Sequence, residues 1–276
     1  MLPTDTRALF RPVSSELVAL LRALPAADWE RPTIAGRWLV RDVVAHLADL
    51  AFRRLSFQRD RMVPPPPSHP IHDEQDFVGF INRLNAEWVG SSKRLSPRVL
   101  TDLLETAALE LAAFFEELPA DAPGLFGVSW AGEQASAGWF DIGREFTELW
   151  HHQEQIRLGV GAPSLRDPRF LHAVLAIAVR GLPHAFRDVT AEVGTRVAVA
   201  ATGPAGGQWT LTRGDGAWMI HEGESDDAAT RVRLSDENAW RLLFNALSVE
   251  AARAAAEVEG RQDLALAFFR ARAIVV

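Results

Sequence analysis

The stretch GREFTELWHHQEQIRLG, residues 143–159, sets a glutamate and two adjacent histidines among bulky apolar residues. On a helix, residues four apart lie one above the other. Glu148 and His152 then share a face with Cβ atoms about 6 Å apart, which suits two ligands of one ion. His151 is three residues from Glu148 but points about 100° around the axis from His152, so only one of the two histidines is expected to face an apolar interior. A third ligand has to come from another helix. His46 in RDVVAHLADL is the candidate, because it stands amid Val43, Val44, Leu47 and Leu50, where a lone imidazole is poorly solvated. Three polar groups buried singly would each need a partner, whereas one divalent cation satisfies all of them. Two imidazoles and a carboxylate fit zinc with a position left open for water or substrate. They also fit nickel, manganese or iron(II), since these donors discriminate weakly between metals. The same residues allow a plainer arrangement, in which Glu148 pairs with an arginine such as Arg144 or Arg157 and both histidines are solvated at a rim.

The elements that must position these groups read as follows. TDTRALFRPVSSELVALLRAL, residues 4–24, places Leu9, Val13, Leu17, Leu20, Leu21 and Leu24 at helical spacing, with Pro12 either kinking the helix or marking its start. A connector rich in Pro and Gly leads to a second helix from residue 39, which carries His46. MVPPPPSHPIHDEQD is expected to be an extended loop, because its prolines cannot continue a helix. Two more helices follow. The second has Ser96 as N-cap and Pro97 at its first position. A helix beginning near Trp139 then carries Glu148 and His152. These amphipathic segments with short links predict a helical bundle over residues 1–162.

Residues 163–276 read as a smaller α+β domain entered by a helical bridge, 163–190. TRVAVAAT, GQWTLTRG, GAWMIHEG and TRVRLS are four short strands separated by turn residues. Two closing helices, DENAWRLLFNAL and DLALAFFRARAIV, are joined by turn chemistry in AEVEGRQ. Trp209, Trp218 and Trp240 either fill this domain's core or line an apolar pocket. His69 and His72, in the proline loop, border a cleft or face water, and His221 lies where a strand meets a turn; all three stay outside the site.

The 276 residues carry a formal charge of −7, a field that repels nucleic acid and anionic lipid. Lys93 is the sole lysine, so Schiff-base chemistry has no other side chain to use. With no cysteine, disulfides, thiolate metal sites and a cysteine nucleophile are excluded, and any thiol must come from outside. The N-terminal MLPTDTRALFRPV lacks the long apolar stretch of a signal peptide, and no run approaches the ~18 apolar residues of a membrane span. The expectation is a cytoplasmic protein without membrane or nucleic-acid partners, either a monomer or a homodimer.

GRWLVRDVVAHLADL and WFDIGREFTELWHHQEQIRLGVGAP resemble the two signature segments of the DinB-like metal-dependent superfamily. More narrowly, they resemble the mycothiol-dependent maleylpyruvate isomerase family. TGPAGGQWTLTRGDGAWMIHEG, LSDENAWRLL and VEGRQDLALAFF resemble that family's small sterol-carrier-like domain. The resemblance implies a DinB-like four-helix bundle followed by a sterol-carrier-like α+β domain, with His46, Glu148 and His152 as metal ligands. His151 becomes a neighbour without an assigned role.

It also implies an enzyme in which a divalent metal, zinc first, lowers the pKa of an incoming water or thiol. The thiol would be of low molecular weight, such as mycothiol. The reaction would be cis-trans isomerisation, or thiol transfer to a small, possibly carboxylate-bearing electrophile. Arg144, one turn before Glu148, is a candidate to bind a substrate carboxylate or the thiol, or else pairs with Glu148 or Glu145. Asp42, one turn before His46, either orients that ligand or serves the helix N-terminus. The competing reading is a non-enzymatic protein that binds an apolar ligand, its metal site structural or vestigial.

Overall fold

The computed structural model describes residues 3–67, 69–119 and 121–275. Contacts divide them into two compact units. One comprises Arg7–Pro119 and Glu148–Leu165; the other comprises residues 3–6 and 121–147 with Arg166–Val275.

The first unit is a helical bundle built from α1 (Phe10–Ala23), α2 (Val40–Arg54), α3 (Glu74–Ser92), α4 (Pro97–Glu117) and the second half of α5 (Gly138–Val160). Pro12 sits in the first turn of α1, where its missing N–H would have no intrahelical acceptor, so it marks the true start of the α-helix, at Phe10 and not at Thr4. Helix α2 packs against α3 and α4, and α4 also packs against α1. The core between them draws Leu17 and Leu21 from α1, Val40, Val43, Val44 and Leu47 from α2, Val89 from α3, Leu100 and Leu104 from α4, and Ile156 from α5. Ser96 caps α4 by accepting the Val99 N–H at 3.3 Å, with Pro97 at the first helical position. The prolines of 64–67 carry no regular secondary structure, as their sequence requires.

The second unit holds a five-stranded mixed sheet in the order β3-β2-β1-β4-β5, formed by β1 (Arg196–Thr202), β2 (Gly207–Arg213), β3 (Trp218–Glu222), β4 (Thr230–Ser235) and β5 (Glu257–Gly260). β1 and β4 run parallel and the other neighbours antiparallel. Helices α6 (Pro168–Ala178), α7 (Leu182–Ala185), α8 (Asp236–Leu243), α9 (Val249–Ala254) and α10 (Gln262–Arg270) complete it.

The sequence reading missed two of these elements. AEVEGRQ holds an edge strand instead of a turn, with Glu259 opposite Arg231 and Glu257 opposite Arg233. Its alternating charges hid the strand, and those charges pair across the ladder. Three helices, not two, close the fold, because α9 is too short to show a periodic pattern; Ser248 caps it through the Ala251 N–H. Gly260 ends β5 at φ 87°, and a Cβ there would lie 2.1 Å from the Ala229 carbonyl oxygen, so no other residue fits.

Trp209, Trp218 and Trp240 are packed in the core, with Trp218 donating to the Val189 carbonyl at 3.2 Å and Trp240 to Glu237 at 3.2 Å. Among the described residues, no helix is long and apolar enough to cross a membrane.

Replacing Ser96 by Ala removes the α4 cap. It is expected to destabilise the bundle by about 1 kcal/mol, read as a lower midpoint in urea unfolding followed by circular dichroism.

Candidate metal centre

Two helices of the bundle supply the site. His46 lies in the middle of α2, on the side that buries Val43 and Leu47. Glu148 and His152 stand one turn apart on α5. Metal-ligating atoms of the three side chains fall within 4.8 Å of one another. The Nε2 atom of His152 is 3.3 Å from Glu148 Oε2, close to the separation of ~3–3.5 Å expected between neighbouring donors around an ion bound at about 2.1 Å. The two imidazole rings meet edge to face, with centroids 4.8 Å apart.

The electrostatics suit a cation. Burial pushes the His46 pKa well below its ordinary value; nearby His152, Arg53 and His151 act in the same direction and outweigh Glu148. His46 is therefore a neutral imidazole, the form that ligates a metal. Burial by itself would raise the Glu148 carboxyl. The surrounding His151, His152 and His46 overcome it and hold Glu148 well below the usual carboxylate range. The result is one anion, its side chain 17% exposed, beside the buried neutral imidazole of His46.

Their remaining hydrogen-bonding positions show how each is oriented. His152 Nδ1 meets Gln155 Oε1 at 2.7 Å. With a cation at Nε2, on the Glu148 side, the Nδ1–H donates to that oxygen. His46 Nδ1 is buried with no hydrogen-bond partner, an arrangement that a native core rarely leaves unexplained. A divalent cation fits this donor set: it neutralises the carboxylate and occupies imidazole lone pairs that have no other acceptor of charge.

Trp38, just ahead of α2, walls the cluster. Its ring centroid is 4.9 Å from that of His46 and 6.1 Å from that of His152. A tight turn holds it there: the Trp38 carbonyl accepts from the Thr33 N–H at 3.0 Å and the Thr33 hydroxyl at 2.8 Å. Gly36, at φ 63°, makes that turn. From α3, Trp88 donates its indole N–H to the Ala45 carbonyl at 2.8 Å, fixing α2 one residue before His46. Trp38 and Gln155 escaped the sequence reading. Gln155 had a signal, its three-residue spacing from His152, whereas the approach of Trp38 depends on a turn.

The other candidates fall out differently. His151 and His152 are only 2% and 7% exposed, which excludes the solvated-rim arrangement. His151 stacks on His152 with ring centroids 4.0 Å apart and is not part of the converging trio. Arg157 donates to the Pro163 carbonyl at 2.9 Å and pairs with Glu16 at 3.5 Å, so it is engaged away from Glu148, whose carboxylate faces His152. Arg144 bonds to Asp141 at 3.2 Å and to Glu145 at 2.5 Å, the second being the pairing that competed with a substrate role. Asp42 serves its helix terminus: its Oδ2 accepts the Leu39 N–H at 3.1 Å. It is the capping-box acid at the third helical position.

A family model described as the mycothiol maleylpyruvate isomerase N-terminal domain matches residues 10–157, which include all three donors. The chain belongs to this family. Its fold extends beyond the matched domain. The crystal structure of the mycothiol-dependent maleylpyruvate isomerase aligns over 87% of this chain and 88% of that one, with a TM-score of 0.54 and 14% identity. The crystal structure of a histidine-to-alanine mutant of that isomerase aligns with the same figures. At such identity the likeness establishes a shared fold for both the helical and the sheet-bearing parts. No curated protein matches the chain.

Purified protein is expected to carry about one equivalent of divalent metal, and His46→Ala to lose it; equal metal in both proteins would remove His46 from the donor set. Gln155→Leu is expected to keep the metal but bind it ~10–100-fold more weakly in a chelator competition.

Proposed function

We propose that this chain is a metal-dependent, mycothiol-type thiol-using isomerase acting on maleylpyruvate or a close relative, with His46, Glu148 and His152 as the ligands of one zinc ion. The observation that carries the reading is the buried convergence of those three donors from α2 and α5. Membership of the family supports it, as do the names of the enzymes that share the fold. When bound, the metal would supply residual positive charge that lowers the pKa of an incoming thiol toward neutrality.

The chain's own residues do the rest. Gln155 holds the His152 tautomer, and Trp38 covers one side of the imidazole pair. The protein has no cysteine, so the nucleophilic sulfur enters as a small thiol. Its electron pair forms a C–S bond at the conjugated double bond, and the π pair moves toward the neighbouring carbonyl. Rotation about the resulting single bond follows; return of the pair expels the thiolate and restores the double bond in the trans geometry. Atoms and charge balance without an oxidant, and the thiol is regenerated.

We read the division of labour as falling after residue 162, with every metal donor before it. The enzyme is read as cytoplasmic, where a reduced thiol pool is present, and as a monomer or homodimer. The alternative of an apolar-ligand carrier has little to stand on, because Trp209, Trp218 and Trp240 are 1–4% exposed within packed core.

The test is conversion of maleylpyruvate to its trans isomer by metal-loaded protein with and without mycothiol. Turnover is expected only with both thiol and metal, and His46→Ala should reduce it at least a hundredfold. Absence of thiol-dependent turnover in the wild type would overturn the proposed reaction.

A further inference from the structure

One face of α2 carries more than His46. Asp49 and Arg53 follow it by three and seven residues, so all three line the same side of the helix. Helical side chains lean toward the N-terminus, which sends the long Arg53 side chain back along this face toward His46. Its Nη2 reaches Asp49, one turn nearer to His46, at 3.0 Å.

Arg53 is poorly satisfied for a group that is four-fifths buried. Its Nη2 lies 3.0 Å from Asp49 Oδ2 and donates to Asn85 Oδ1 on α3 at 3.4 Å. The Asp49 contact lacks hydrogen-bond geometry, leaving Asp49 Oδ2 and Arg53 Nε both buried without a hydrogen-bond partner. Burial pushes the Asp49 carboxyl up, against the pull of Arg53. A guanidinium binds a carboxylate best through two parallel N–H···O bonds; here both protein contacts crowd onto one nitrogen. The fork is half used, two helical turns from His46 on the same face of α2.

We propose that Arg53 receives a carboxylate of the substrate beside the metal centre, and that Asp49 and Asn85 hold the guanidinium ready. This rests on the isomerase reading above, and it assigns to Arg53 the anion-binding role that spacing alone had suggested for Arg144. Arg53 then selects acidic electrophiles. Asp49 is the internal competitor that a ligand carboxylate displaces or outmatches.

The experiment is calorimetric titration of the metal-loaded full chain with maleate, a small cis-dicarboxylate, with metal content measured for every protein. Wild type is expected to bind, Arg53→Gln to bind at least tenfold more weakly, Arg53→Lys to fall between them, and Asp49→Asn to bind more tightly. A merely structural ion pair predicts instead that breaking it from either side has the same sign. Equal affinity in wild type and Arg53→Gln, no maleate binding by wild type, or weaker binding by Asp49→Asn would each overturn the assignment. Should Arg53→Gln fail to fold, Arg53→Lys and Asp49→Asn decide it by their opposite directions. Arg53-dependent maleate binding without thiol-dependent turnover would retire the proposed reaction and keep this site; the reverse result would do the opposite.

Discussion

A carboxylate and two imidazoles held out of water against one another form the constraint on which the bundle's central region depends. Each would be costly there by itself. Together, Glu148 is held ionised among the imidazoles, while His46 stays neutral chiefly because burial opposes its protonation. Such a cluster is electrostatically suited to one small multiply charged cation and poorly suited to hydrophobic packing. The family relation and the shared fold agree with that suitability.

Much of the surrounding structure serves to hold two helices at the separation the cluster needs. Asp42 closes the start of α2, Trp88 ties its middle to α3, and the valines and leucines flanking His46 lock its rotation within the core. On α5, Gln155 sets the His152 tautomer from the next turn. Trp38 is pinned by backbone bonds of a turn that Gly36 permits. These are outer partners of the donors, and they convert a composition that tolerates a metal into a geometry that waits for one.

The sheet-bearing unit follows different rules. Its tryptophans are core residues whose indole N–H groups find internal acceptors in two cases, the Val189 carbonyl and Glu237. Its edge strand β5 sets Glu257 and Glu259 opposite the arginines of β4 in the ladder, with Glu259 3.5 Å from Arg233, so it shows a charged face where an apolar one would mark a strand. The exposed edge is thereby charged, which discourages pairing with other chains.

From sequence alone came the helical character of the first part, the strands β1 to β4, the Ser96 cap, the absence of any protein thiol, and the trio His46, Glu148 and His152. These are legible because helical and strand periodicities, capping chemistry and residue absence are local properties. Glu148 and His152 in particular sit one turn apart on a single helix. Only the tertiary structure brought His46 to them, set Asp42 on the Leu39 N–H at the helix start, one of the two roles open to it, engaged Arg144 with Asp141 and Glu145, and left Arg53 half satisfied on the His46 face. The reason is physical: which polar group finds which partner depends on distances between elements remote in the chain. Periodicity fixes the face a residue occupies but says nothing of what stands opposite.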